Sequence, residues 1–141
     1  MIGDIRKYRR MLFIPLSTSL YANQAADSIR RFGQSEGVDV RFLDEIPEKV
    51  LSGDLFFVSG SRLDVKLSKL LGTIADSGLV PGKEVGLICY NDFPLNEFIF
   101  GGLTTLSVDF EQMGRAAGQM VLDARLDRVQ CYASLIRRST F

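Results

Sequence analysis

Six polar residues that could hydrogen-bond a small molecule follow three short apolar stretches of the chain. They are Ser17, Thr18, Ser59, Ser61, Asn91 and Asp92. If the apolar stretches are parallel strands of one sheet, their carboxyl ends meet at one edge, and these side chains line a common crevice. Hydroxyl, amide and carboxylate groups suit a polyol or another polar ligand. The same residue types are also ordinary in loops and helix caps, so both interpretations stay open.

The chain lacks the residues that most catalytic chemistries need. The chain has no histidine, which excludes Ser-His-Asp triads and histidine-ligated metals. Neither G-x-G-x-x-G nor G-K-[ST] occurs, so no phosphate loop is predicted. Asp92, Glu97 and Asp109 could be acid or base groups, but their spacing does not pair them, which favours solvated or capping carboxylates. We therefore expect a non-enzyme with no cofactor and no metal.

Size and charge limit the class of protein further. The 141 residues suffice for one domain, and 46% hydrophobic against 24% charged residues is a globular balance. With 17 basic and 17 acidic residues, bulk attraction to nucleic acid or anionic lipid is not expected. The basic run at 6–10 is interpreted as a solvated lead-in rather than a phosphate-binding arm. Without a signal peptide or an apolar run long enough to span a membrane, we expect a cytoplasmic protein with no membrane partner.

The elements that position the polar residues alternate along the first two thirds of the chain. Apolar runs predict strands at 11–16, 54–58 and 85–90. Alternation of apolar and polar residues predicts a further strand at 38–43, which would be half-exposed at an edge of the sheet. Helical periodicity at 20–35 and 63–77 places helices between them, and 46–51 is at most a helical turn. This order predicts an α/β fold with an open, mainly parallel sheet and flanking helices.

The last third of the chain begins with a bulky apolar turn. We predict one helical turn within 93–100, a strand at 103–108 and a last strand at 133–136. Between these strands, 110–126 has the pattern of a helix with a stripe of small and apolar side chains. Asp109 is a good N-cap for that helix, and Gln112 follows three residues later.

Three segments resemble LacI/GalR-type transcription regulators. Residues 78–92, GLVPGKEVGLICYND, are similar to the family's G-hydrophobic-x-V-P segment that ends in G-Y/F-D-D. Residues 102–105 with 109–114 resemble P-L-T-T and D-hydrophobic-x-x-M-G, and 135–140, LIRRST, resemble L-V-x-R-x-S-T. Tyr8-Arg9-Arg10 is similar to the family's G-H-R-R lead-in. The same sensor domain also occurs on GntR-type regulators.

The resemblance implies that residues 1–141 are the C-terminal lobe of a type I periplasmic-binding-protein-like sensor domain. The N-terminal lobe and the DNA-binding head lie outside these residues, so we expect a part of a longer protein that reaches DNA only through such a head. Helix 110–126 would normally pack on the other lobe. We therefore expect its stripe to pack on a neighbouring chain or to fold back onto its own lobe; the stripe consists of Met113, Ala117, Met120 and Val121.

The resemblance also implies a sugar-like effector held between lobes, and a homodimer. The implied effector contacts are Ser17, Thr18, Asn23, Ser59, Ser61, Asn91 and Asp92. Three of these positions depart from the family, which usually has Asp at 91, Asn-Asp at 60–61 and Arg near 22–23. The implied dimer interface contains Leu67, Leu95, Phe98, Ile99 and Phe100. Two alternatives stay open, namely a dimerisation module with a degenerate ligand site and a small α/β enzyme or receiver-like domain.

Overall fold

The computed structural model describes residues 2–15, 20–59 and 65–141. Its helices are α1 (Ile2–Ile5), α2 (Leu20–Glu36), α3 (Val65–Asp76) and α4 (Phe110–Leu122). Its strands are β1 (Arg10–Ile14), β2 (Val40–Phe42), β3 (Asp54–Val58), β4 (Gly86–Tyr90), β5 (Thr104–Val108) and β6 (Ala133–Ile136). Two 3-10 turns, Pro94–Glu97 and Ile99–Gly101, connect β4 to β5.

The described strands form one open sheet in the order β2-β1-β3-β4-β5-β6. Neighbours pair in parallel from β2 to β5, and β6 pairs antiparallel with β5. The predicted α/β class and mainly parallel sheet are therefore confirmed, as is the edge position of β2. Strand β6, which follows α4, lies at the edge opposite β2 and is the only described strand that pairs antiparallel with its neighbour.

Both faces of the central strands are buried, which explains why their sequences are continuously apolar rather than alternating. Leu12 and Phe56 pack on one face, against α3 and its buried Leu67, Leu70 and Ile74. Phe13 and Phe57 point to the other face, where the apolar stripe of α2 packs on them, and their rings stack at 5.8 Å. The period of two along each strand distributes the core over both faces.

Two predicted turns are refined by the structure, and one predicted helix end is wrong. Residues 46–51, predicted as at most a helical turn, form no helix, and the helical turn predicted within 93–100 is present as two 3-10 turns. The predicted helix 110–126 ends at Leu122, because Ala124 takes a left-handed conformation with φ 50°. The Ala124 N–H bonds Val121 O at 3.3 Å and the Arg125 N–H bonds Met120 O at 3.0 Å, the pattern of a Schellman cap. Alanine replaces the usual glycine there, so the sequence shows no stop signal.

Helix α4 is capped as predicted but is not packed on the sheet. The Asp109 carboxylate accepts a 2.8 Å bond from the Gln112 backbone N–H. No residue of α4 is buried, and Phe110, Met113 and Val121 are among its exposed apolar side chains. The stripe does not fold back onto its own lobe, so that half of the expectation is wrong for this structure.

The last residues of the chain are built into the sheet. The Thr140 carbonyl accepts a bond from the Leu87 N–H at 2.9 Å, ahead of the first β4–β5 pair, Ile88 with Thr104. The Thr140 hydroxyl donates to Leu87 O and accepts from the Thr104 N–H, each at 2.8 Å. Phe141 is buried beside Tyr8, with ring centroids 5.9 Å apart. We call residues 137–141 the tail. The tail fills the gap between the starts of β4 and β5.

Candidate functional site

The carboxyl ends of β1, β3 and β4 lie side by side, as the sequence predicted. The Ser59 N–H bonds Ile14 O at 3.0 Å, which continues the β1–β3 ladder past its last register pair. Val58 pairs with Cys89, so Ser59 and Asn91 follow closely on neighbouring strands. We call this edge of the sheet, with Ser59, Asn91 and Asp92, the rim.

Asn91 turns the chain at the end of β4. Its φ of 68° is left-handed, a conformation that asparagine tolerates better than most side chains. Its backbone N–H donates to Leu106 O at 2.9 Å, which ties the turn to β5. The next N–H, of Asp92, donates to the Ser107 hydroxyl at 3.0 Å. The rim is therefore a fixed part of the sheet rather than a loose loop.

The Asp92 carboxylate is held by several donors of its own chain. Arg138 binds it with two parallel bonds, Nη1 to Oδ1 at 2.9 Å and Nη2 to Oδ2 at 2.7 Å. Asn96 Nδ2 and Thr105 Oγ1 each donate to Oδ1 at 3.1 Å. Arg138 Nη1 also reaches Leu103 O at 2.8 Å. Asp92 thus joins the rim to the tail and to the first 3-10 turn.

These contacts keep Asp92 ionised. The hydrogen bonds from Arg138, and less so those from Asn96 and Thr105, lower the pKa of Asp92 from 3.8 to about 2, although partial burial acts in the opposite direction. Arg138 in turn has a raised pKa, chiefly because of its bonds to Asp92. A carboxylate that stays charged at any ordinary pH can position a ligand or an arginine, but it cannot serve as a general base near neutrality.

The predicted effector contacts fall into three groups. Ser59, Asn91 and Asp92 lie together on the rim. Asn23 is exposed in the first turns of α2, and no contact that the structure describes joins it to the rim. Ser17, Thr18 and Ser61 lie outside the described residues.

The predicted dimer-interface residues also differ in exposure. Leu95, on the first 3-10 turn, is 54% exposed, and Phe98, directly after that turn, is 77% exposed. Ile99 and Phe100 are half-buried against the core. Leu67 is completely buried between α3 and the sheet, so its side chain has no surface to offer a partner. The apolar surface in this region belongs to the 3-10 turns.

The three carboxylates that could have been acid or base groups have other roles. Asp109 caps α4, Asp92 binds Arg138, and Glu97 is largely exposed, 3.9 Å from Arg138 Nη2. Within the described ranges, no group of three or more His, Cys, Asp or Glu side chains could hold a metal ion. No helix among the described residues is long and apolar enough to cross a bilayer.

Arg138 is the residue at the rim that the sequence does not predict. Its place in the motif at 135–140 assigns it no role. Its position 46 residues after Asp92 gives no hint of contact. The available signal was its charge, because a basic side chain that follows an otherwise apolar strand needs a partner wherever it is partly buried.

No protein-family model matches this chain, and no curated protein sequence matches it. Solved structures do. One is a probable maltose operon transcriptional repressor, MalR, from Staphylococcus aureus, with TM-score 0.73 and 13% identity over 98% of this chain and 56% of that one.

Two further structures are similar. A periplasmic binding protein/LacI transcriptional regulator from Alkaliphilus metalliredigens, complexed with D-xylulofuranose, has TM-score 0.70 and 15% identity over 99% of this chain and 60% of its own. A dimeric Lac repressor has TM-score 0.71 and 17% identity over 99% and 59%. This chain thus spans between 56% and 60% of the length of these three chains.

These three neighbours are transcription regulators. Their identity to this chain is low, and each is longer than this chain. The likeness therefore establishes the fold. The described chain has the α/β fold of one lobe of LacI-type regulators and periplasmic-binding-protein-like domains, as the resemblance in its sequence implied.

Proposed function

We propose that this chain is the C-terminal lobe of the effector-sensing domain of a LacI-type transcription regulator in the cytoplasm. The observation that carries the proposal is the agreement between the sequence motifs and the fold. Three sequence motifs in family order and a fold match over nearly the whole chain point to the same kind of protein. The lobe is not an enzyme in this proposal, and DNA is bound only through a head domain outside residues 1–141.

The rim is the proposed effector site. Ser59, Asn91 and the edge of Asp92 would contact one side of a sugar-like ligand, with Ser17, Thr18, Asn23 and Ser61 as further proposed contacts. Support comes from the polar side chains on adjacent strand ends and from the D-xylulofuranose complex of one neighbour. In an open α/β sheet, this edge is where ligands bind.

Helix α4 supplies the second part of the proposal. A 13-residue helix without a buried side chain has apolar surface that a globular protein normally covers. We propose that this face packs on an N-terminal lobe outside these residues. Closing two lobes around an effector would then shift the geometry of a homodimer, whose interface we place at Leu95, Phe98, Ile99 and Phe100.

A second function remains in competition because of Asp92. Four donor groups from Arg138, Asn96 and Thr105 already use its carboxylate. A rim with its acid engaged and with Asn91 in place of the usual acid has fewer groups to offer a sugar. This favours the alternative of a dimerisation module with a degenerate ligand site.

Ligand titrations followed by amide NMR separate the two functions. D-xylulose, D-glucose and D-ribose would be added at millimolar concentrations to the chain, because half a site binds weakly. Sensing predicts shifts of the Ser59, Asn91 and Asp92 amides that are reduced in Asn91→Ala. The control Gln130→Ala removes an exposed amide side chain outside the rim and should retain the shifts. An unmoved rim with all three sugars would leave the dimerisation module as the better assignment.

A further inference from the structure

A polar cavity lies at the edge of the sheet opposite the rim, where the parallel strands begin. Its volume is about 300 Å³, at the lower end of the range typical of small-molecule sites. We call this cavity the arginine pocket. It is lined by Arg9, Arg10, Asp39, Arg41, Leu51, Ser52 and Asp54. None of them belongs to the rim, so the pocket is separate from the proposed effector site.

The fold brings the pocket together from three strand starts. Arg10 opens β1 and is the register partner of Asp54, the first residue of β3. Asp39 immediately precedes β2, and its carbonyl accepts the Met11 N–H at 2.8 Å. Arg9 is anchored by its own N–H on Gly53 O at 2.7 Å. Backbone hydrogen bonds of the sheet therefore hold three of the charged lining residues in place, namely Arg9, Arg10 and Asp39.

The charges of the pocket do not cancel. Arg10 binds the buried Asp54 with Nε at 2.7 Å and Nη2 at 3.2 Å, and Arg41 binds Asp39 with Nε at 3.1 Å and Nη2 at 3.0 Å. Each of these two pairs is neutral in sum. Arg9 forms no ion pair with any side chain that the structure describes, so one positive charge is left over at the pocket.

Arg10 and Arg41 also have N–H donors that their ion pairs do not use. A guanidinium has five N–H donors, and each of the two ion pairs uses the Nε and Nη2 groups, which leaves the Nη1 group of Arg10 and of Arg41 outside these pairs. Planar guanidinium forks suit the oxygens of a phosphate, and the Ser52 hydroxyl adds a neutral donor. An excess charge with several fixed donors is the chemistry of an anion site.

We propose that the arginine pocket binds a phosphate group, either as the free ion or as a phosphate monoester of a small molecule. Arg9 supplies the uncompensated charge, and Arg10 and Arg41 supply directed donors. Asp39 weakens the site because it places a negative charge beside the anion. Binding at this edge is independent of the proposed sugar site at the rim.

Calorimetric titration of the chain at constant ionic strength tests this, with inorganic phosphate, glycerol 3-phosphate and neutral glycerol as probes. Both phosphates should bind and glycerol should not. Tighter binding of the monoester would identify an ester as the ligand, and equal binding the phosphate group alone. Failure of both phosphates to bind would overturn the proposal, whatever the outcome of the sugar titrations.

Two variants with opposite expected effects locate the anion. Arg9→Gln keeps the Cβ and Cγ methylenes beside Gly53 and should weaken phosphate binding about tenfold, because one charged donor is lost. Asp39→Asn removes the competing charge and should tighten binding about threefold. The control Arg128→Gln removes an exposed arginine outside the pocket and should change nothing. Equal affinity in the wild type and both pocket variants, each folded by circular dichroism, would overturn the assignment.

Discussion

Arg138 and Asp92 face each other fork to fork, with two bonds of 2.9 and 2.7 Å between a guanidinium and a carboxylate that are each about one fifth exposed. The pair joins the turn after β4 to the tail of the chain. Bidentate pairs of this kind combine charge with fixed geometry. The pair therefore fixes the tail of the chain to the rim.

Stability should fall in acid because of this pair. The pKa of Asp92 is lowered to about 2 in the folded chain, so the unfolded chain binds its proton more tightly. The resulting stabilisation is complete above the unfolded pKa near 4 and is lost as the pH falls toward 2, and it is worth roughly 2 kcal/mol. Urea unfolding at pH 7, 4 and 2.5 measures it.

Asp92→Asn is the matched test of that prediction. The amide cannot titrate, so the free energy of unfolding of the variant should be lower at pH 7 and should depend less on pH between 5 and 2. Glu97→Gln is the control, since Glu97 is largely exposed and 3.9 Å from Arg138. A variant that loses as much stability in acid as the wild type would show that other carboxylates cause the loss.

The tail should contribute strongly to stability through one hydroxyl. Thr140→Val keeps the shape but leaves the buried Thr104 N–H without its acceptor, which costs about 1–3 kcal/mol. Ser139→Ala removes a hydroxyl bond to Gly101 O at an exposed site and should cost much less. Thermal unfolding of both variants checks the difference, and equal melting temperatures would contradict the role given to the tail.

Self-association should depend on the 3-10 turns. Phe98 is 77% exposed, and Phe98→Asp places a charge where the proposed homodimer buries a ring, which should weaken association at least about tenfold. Val129→Asp, at another exposed apolar position, is the control. Sedimentation at several concentrations measures the dissociation constants. The same constant for Phe98→Asp and wild type would move the interface elsewhere.

The backbone at the end of α4 should be strained because Ala124 has a left-handed conformation. Ala124 has φ 50°, and Ala124→Gly should stabilise the last helical turn by about 1 kcal/mol because glycine adopts this conformation without cost. Hydrogen exchange at the Asp123 and Arg125 amides should slow roughly fivefold if local opening controls it. Ala116→Gly, inside the same helix, should have the opposite effect. Unchanged exchange in Ala124→Gly would mean that the cap opens freely.

The sheet could be predicted from sequence because its signals are local. Residues 55–58 are apolar and the segment is bounded by turns, and β3 spans Asp54–Val58, the limits predicted from the sequence. The same holds for β6 at 133–136 and for the cap at Asp109. Strand ends then follow from parallel pairing, so the rim was predictable as well.

The contacts that join distant residues could not be predicted in this way. Arg138 and Asp92, or Arg10 and Asp54, are 46 and 44 residues apart, and no local pattern links them. The tail's place between β4 and β5 has the same cause. Helix α1 was missed because four residues are too few for periodicity to show, and the helix end at Ala124 because alanine gives no stop signal.

Helix α4 leaves the sheet's interior almost untouched, since none of its side chains is buried. Substitutions on its surface can therefore accumulate at little cost to the folding of the lobe. Related lobes could therefore differ in the partner that binds this helix while they keep the same strands.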